Sequence, residues 1–143
     1  MCGIIPGSVL FRRAVFDGGR GFDPSVAASA DWDVYLRIAR ELPVRCHGRT
    51  VLEYRRHADN MTNDAARILE AEITVLERHQ AAAAAVPGGR EAVAAGVERS
   101  RRVHGPVVVE DLVRAVNTGD AAGAAARAAL LARVHPGALA HLA

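Results

Sequence analysis

The chain has 143 residues, half of them hydrophobic, and a formal net charge of +2. That is enough for one ordinary domain or two small ones with a real core. There is no run of about 20 consecutive apolar residues, so no membrane span is expected, and the small, dispersed charge argues against a dedicated nucleic-acid surface. Every basic residue other than histidine is arginine. Residues 1–11 are apolar and glycine-rich, but the stretch is short and has no basic leader, so it does not read as a signal peptide. Cys2 and Cys46 lie far apart and match no metal-ligand spacing. Reduced thiols and a cytoplasmic location, or a peripheral one at the membrane, are expected.

In chain order, Ile4 to Phe11 is β-like, interrupted by Pro6-Gly7. Arg12 to Asp17 reads as a short helix stopped by Gly18-Gly19. A loop, Gly18 to Ser25, leads to an amphipathic helix over Asp31–Leu42. Trp32, Tyr35, Leu36, Ala39 and Leu42 recur there at helical spacing as one expected buried stripe. Pro43 ends this helix, because the residue before proline is biased away from helix. Val44–His47 and Thr50–Arg55 read as two strands around Gly48-Arg49.

Thr62-Asn63-Asp64 supplies capping residues for a helix running to about Ala85. Leu69, Ile73 and Leu76 mark its apolar face, broadened by Ile68 and Val75. Val86-Pro87-Gly88-Gly89 breaks it. A second helix, Arg90–His104, is closed by Gly105-Pro106, and a third covers Val107–Val116, although Val107-Val108-Val109 has strand propensity. After the turn Asn117-Thr118-Gly119-Asp120, with Asp120 as cap, a fourth runs to about Val134 and stops at His135-Pro136-Gly137. Composition divides the chain in two. Residues 1–63 hold all the aromatic residues and most turn signals, and residues 64–143 are alanine-rich. The expected fold is α/β over 1–63 followed by an all-α region over 64–143.

Two groups of residues carry candidate chemistry. Asp31 stands at a helix mouth after a glycine-rich loop, where an ionised carboxylate can accept a proton. Asp is also a good helix cap, so the same residue has a purely structural reading. Arg55, Arg56 and His57 close the second strand, and two guanidiniums beside an imidazole can neutralise an anionic group. A solvated basic strand end is the alternative. By strand alternation Tyr54 and Arg56 share one face and Arg55 and His57 the other, which makes Arg55 and His57 the pair that faces a ligand. Asp33 reads as a first-turn helix residue with no chemical role, Trp32 as core, and Asp23 before Pro24 as a turn former. His47, His79, His104, His135 and His141 read as surface or helix-end residues.

Four elements in order, Gly7-Ser8-Val9-Leu10-Phe11-Arg12-Arg13, Gly21-Phe22-Asp23-Pro24, Asp31-Trp32-Asp33-Val34-Tyr35-Leu36-Arg37 and Tyr54-Arg55-Arg56-His57, resemble the C-terminal, acceptor-side half of the catalytic domain of family 2 glycosyltransferases. These are inverting, nucleotide-sugar-dependent enzymes of the GT-A fold. The resemblance covers roughly residues 3–63. It implies a partial GT-A-like sheet over 1–63 with the helical region as a tail. Asp31 would be the base that deprotonates the acceptor hydroxyl, although Ala30 stands where the family usually has Glu. Arg55, Arg56 and His57 would bind the donor diphosphate, with His57 also a ligand to a divalent metal, Mn²⁺ or Mg²⁺. The implied partners are a nucleoside-diphosphate sugar and a hydroxyl acceptor, with Asp31 and His57 on one open face.

The family's nucleotide-binding half, with its Asp-x-Asp motif, has no counterpart upstream of Gly7. The chain is therefore expected to be incomplete as an enzyme and to self-associate or to meet a partner that supplies that half. The alternative reading is a non-catalytic interaction module built on a glycosyltransferase remnant and a helical tail.

Overall fold

The computed structural model describes residues 5–18, 21–26, 28–55, 57 and 60–141. Among these residues there are four α-helices and no β-strand: α1 (Ala30–Glu41), α2 (Ala65–Ala83), α3 (Gly89–Thr118) and α4 (Ala121–Val134). Short 3-10 turns occupy Pro6–Ser8, Arg13–Phe16, Met61–Asn63 and Pro136–His141. Among the described residues no helix is long and apolar enough to cross a membrane.

The helical body forms as its sequence signals indicate. Asp64 caps α2, its Oδ1 accepting from the Arg67 amide at 3.0 Å. Asp120 caps α4, its Oδ1 accepting from the Gly123 amide at 2.9 Å. Each supplies one of the acceptors that a helix start otherwise lacks. The turn between α2 and α3 needs Gly88 at φ +74°, a left-handed conformation that glycine adopts without steric cost. Gly89 follows so closely on the Ala83 carbonyl that no side chain fits there.

α3 departs from the sequence reading. It runs unbroken through Gly105-Pro106, where two helices with a stop were expected. Proline removes one helical hydrogen bond and costs about 3 kcal/mol inside a helix. Here Arg102 and Pro106 are both exposed, so the backbone group left without its partner lies on the solvent side. The opposite face stays in phase across the proline, with Ser100, Gly105, Val108, Leu112 and Ala115 all buried. Continuous packing on α2 and α4 outweighs the local penalty.

The core is built by Ala65, Leu69 and Ile73 of α2, Val108 and Leu112 of α3, and Leu130, Leu131 and Val134 of α4. The region expected to be a tail is thus the body of the molecule. α1 docks on α2, burying Val34 and Ile38 together with Asp33. The expected stripe is displaced by about one residue: Trp32, Tyr35, Leu36 and Leu42 are half-buried and Ala39 is exposed. Trp32 lies 5.9 Å under the Arg99 guanidinium of α3. Tyr35 stacks on Phe11 at 6.1 Å, and Phe11 meets Phe16 edge-on at 5.1 Å.

The expected α/β fold is therefore corrected to an all-helical one over the described residues. None of the strands predicted over residues 4–11, 44–47 and 50–55 is formed in that range. A strand exists through its ladder, and a lone two-stranded pairing is marginal in water. Around Pro6 the backbone finds local partners instead: Ser8 Oγ donates to the Ile5 carbonyl at 2.8 Å and accepts from the Ile5 amide at 3.2 Å. Between residues 43 and 55 the expected turn is not formed either: Gly48 takes φ +68° and the Arg49 amide donates to His47 Nδ1 at 3.1 Å, but the chain neither turns nor bends there. The runs flanking it do not pair. They lie exposed, Val44 to 67%, Val51 to 54% and Tyr54 to 52%.

Candidate functional site

The mouth of α1 gathers most of the polar organisation outside the core. Ser29, at φ +60°, turns the chain into the helix through the left-handed region that side chains rarely adopt, a local strain that surrounding contacts must hold. Its carbonyl accepts from the Asp33 amide at 3.2 Å. Asp31 is the second residue of α1 and is half-buried. Its carboxylate makes no hydrogen bond or ion pair among the described residues. Its charge reaches Tyr35, whose phenol is held above its usual value first by burial and then by the Asp31 carboxylate.

Asp33 turns out to be the engaged carboxylate. It is buried, and both its oxygens are used: Oδ1 pairs with His79 Nε2 of α2 at 3.0 Å, and Oδ2 accepts from Arg37 Nε at 2.8 Å. Arg37 Nη2 then donates to the Gly21 carbonyl at 2.6 Å. A single chain of polar contacts thus runs from α2 through α1 to the loop before it. A buried carboxylate held this way satisfies the rule that interior charges are paired and hydrogen-bonded.

The loop is tied a second time. Asp23 Oδ1 accepts from the Ser25 amide at 2.8 Å, forming the expected turn. Arg78 of α2 donates to Asp23 Oδ2 at 3.1 Å and to Ser25 Oγ at 3.2 Å. Hydrogen bonds from Ser25 hold the Asp23 carboxyl below its usual value; burial opposes them, and the Arg78 charge adds a lesser lowering effect. Between this loop and the outer face of α2 lies a shallow cavity of about 370 Å³ whose polar lining includes Ser25, Arg67, Thr74 and Arg78. A second, of about 260 Å³, lies between α2 and α3 near Gln80, Arg90 and Arg101. Neither is lined by Asp31, Arg55 or His57.

A second buried carboxylate, Glu72, joins α2 to α3. Ser100 Oγ donates to Glu72 Oε2 at 2.6 Å, and His104 Nε2 lies 3.6 Å from the same oxygen. Burial pushes the Glu72 carboxyl up, but the hydrogen bonds from His104 and Ser100 and the charges of His104 and Arg99 outweigh it, leaving the group below its usual value. Serine, histidine and glutamate meet here without forming a nucleophilic triad. Ser100 is only 1% exposed and donates to the carboxylate, whereas a nucleophile must bond to the imidazole.

Arg55 and His57 are exposed. The Arg55 carbonyl accepts from Asn60 Nδ2 at 3.0 Å, and the His57 carbonyl accepts from Asn63 Nδ2 at 2.9 Å. Tyr54 Oη lies 3.0 Å from Thr62 Oγ1. These contacts fold the segment onto the 3-10 turn that precedes α2. No described contact joins Arg55 or His57 to Asp31. Arg56 and Cys2 lie outside the described residues. Among the described residues no three His, Cys, Asp or Glu side chains converge as a metal site would require.

Comparison with family models, with characterised proteins and with solved structures finds no match.

Sequence reasoning missed Asp33, Glu72 and His79, and the signal was present. Asp33 and Arg37 stand four apart, a spacing that pairs opposite charges on one helix face. Ala65, Ile68, Glu72, Val75 and His79 follow one another at intervals of three and four, so Glu72 and His79 occupy the phase of the buried stripe. His79 was expected as a surface or helix-end residue, and it is buried in the C-terminal part of α2.

Proposed function

We propose that the chain carries the acceptor-side part of an inverting, nucleotide-sugar-dependent glycosyltransferase site, with Asp31 as the base. The four ordered motifs of residues 7–57 support this reading. The single observation that carries it is the contrast between the two acids of the motif Asp31-Trp32-Asp33. Asp33 is used up in structural bonds, while Asp31 is left half-exposed and without a partner among the described residues, in the first turn of a helix whose approach loop is tied down.

In this reading the Asp31 carboxylate takes the proton of an acceptor hydroxyl as its oxygen attacks the anomeric carbon. The bond from that carbon to the diphosphate breaks on the opposite side, and the electron pair leaves with the nucleoside diphosphate. The new glycosidic bond has inverted configuration, and Asp31 releases its proton to solvent. Arg55 and His57 offer positive or hydrogen-bonding charge to the leaving diphosphate. The nucleotide itself is held by a partner or by polypeptide outside these motifs.

The test is acceptor-dependent release of nucleoside diphosphate from UDP-, GDP- and TDP-sugars, with the donor-binding partner supplied. Asp31→Asn is expected to lower turnover by about 10²–10⁴-fold, the usual contribution of a general base, with donor affinity little changed. Unaltered turnover removes Asp31 from the mechanism.

A second reading is favoured by a different observation. The run from Val44 to Tyr54 exposes Val44, Val51, Leu52 and Tyr54 together, more apolar surface than a short solvated connection needs. A non-catalytic interaction module would use this segment, displayed by the helical body, to meet another protein. Calorimetry separates the two: micromolar binding of any donor sugar supports the transferase, and silence toward all of them supports the module.

A further inference from the structure

We propose that the consecutive residues Arg78 and His79 of α2 are positioning residues for the Gly21–Ser25 loop. Through them the helical body sets the geometry of the wall that leads into α1. What that wall does rests on the glycosyltransferase reading; that α2 positions it does not.

Two neighbouring side chains leave the same turn of α2 and reach the loop by separate routes. Arg78 goes directly, with Nη1 to Asp23 Oδ2 at 3.1 Å and Nη2 to Ser25 Oγ at 3.2 Å. His79 goes through α1: its Nε2 meets Asp33 Oδ1, Asp33 Oδ2 takes Arg37 Nε, and Arg37 Nη2 takes the Gly21 carbonyl at 2.6 Å. The loop is therefore gripped at its beginning and near its end by residues 53 to 58 positions away in sequence. Packing alone does not require this. Val34 and Ile38 already seal α1 onto α2, and an apolar side chain in place of buried Asp33 would avoid the cost of desolvating a carboxylate. What the polar route adds is direction. Hydrogen bonds fix angles as well as distances, and a guanidinium that uses one edge on Asp33 has its other nitrogen aimed along a set line at Gly21.

Hydrogen exchange on the full chain tests this, read peptide by peptide, with three variants. His79→Leu keeps bulk but removes the donor, His79→Gln places an amide N–H near the Nε2 position, and Arg78→Met cuts the direct route. Amides of residues 21–26 are expected to exchange about tenfold faster or more in His79→Leu and in Arg78→Met, while the α3 and α4 core peptides keep their protection, as local opening requires. His79→Gln should remain within about threefold of the wild type. Unchanged loop exchange in His79→Leu and Arg78→Met overturns the proposal. So does a parallel rise in every helix, which would make these residues ordinary core. Failure of His79→Gln to rescue removes the hydrogen-bonded route through Asp33. Exchange does not read turnover, so an absence of glycosyl transfer leaves this result standing, and a failed exchange test leaves the Asp31 assignment open to its own assay.

Discussion

The helical body, α2 to α4, and the segment before it, residues 5–60, are held together by different physics. The body is alanine-rich and lacks aromatic residues, yet it owns the core: Leu69, Val108 and Leu131 are each 0% exposed. The earlier segment has the aromatics and the motifs, yet among its described residues it buries little beyond α1 and two loop positions, Val26 and Ala28. It is attached by directed polar contacts at Asp33, Arg37 and Asp23. Helices stack on helices by matching apolar stripes, which alanine and leucine supply cheaply in side-chain entropy. A loop has no such stripe, so charged hydrogen bonds must fix it. The part that holds the proposed site is consequently the part that depends on the other for its shape.

The largest expected break comes from the body. Leu131→Ala should cost about 3–5 kcal/mol by opening a cavity in a fully buried site, read as a lowered urea midpoint. The segment should lose its order in the same transition, because it has no core of its own. Asp33→Ala is expected to cost about 2 kcal/mol, since it leaves buried His79 and half-buried Arg37 without their acceptor. Its signature is local: faster hydrogen exchange over residues 21–41 with α3 and α4 still protected.

Glu72 sharpens the comparison through pH. Its carboxyl is held below its usual value in the folded state, so the folded form binds this proton less readily than the unfolded chain does. The resulting stability is fully present above the ordinary carboxylate range and is lost as the pH falls through the lowered folded value. Denaturant titrations of the wild type should show this acid loss, and Glu72→Gln should flatten it while leaving the α1 contacts unaffected. The smallest effect is expected at Val44, which is 67% exposed. Val44→Ser should change stability by no more than about 0.5 kcal/mol. A larger loss would mean that the segment from 43 to 55 is packed more firmly than its exposure indicates.

Sequence by itself determined the elements whose causes are local. Asp64 and Asp120 start helices because a carboxylate beside free amides works wherever it occurs, and Gly88 and Pro43 punctuate because backbone sterics do not depend on neighbours. Leu69, Ile73 and Leu76 announced the buried face of α2 by their spacing alone. Asp31 at the start of a helix was likewise legible. Only the tertiary structure decided the rest, because each remaining question turns on what lies across from a residue. Residues 44–47 and 50–55 have strand-like composition, but a ladder needs a second backbone, and the described chain offers none. Pro106 should have ended a helix, but the stripe from Ser100 to Ala115 remained in phase against α2 and α4 and carried the helix through. Asp31 and Asp33 share one helical turn, and the sequence reading left Asp33 without a chemical role. The approach of His79 from a helix 46 residues away is what separated the bonded carboxylate from the free one.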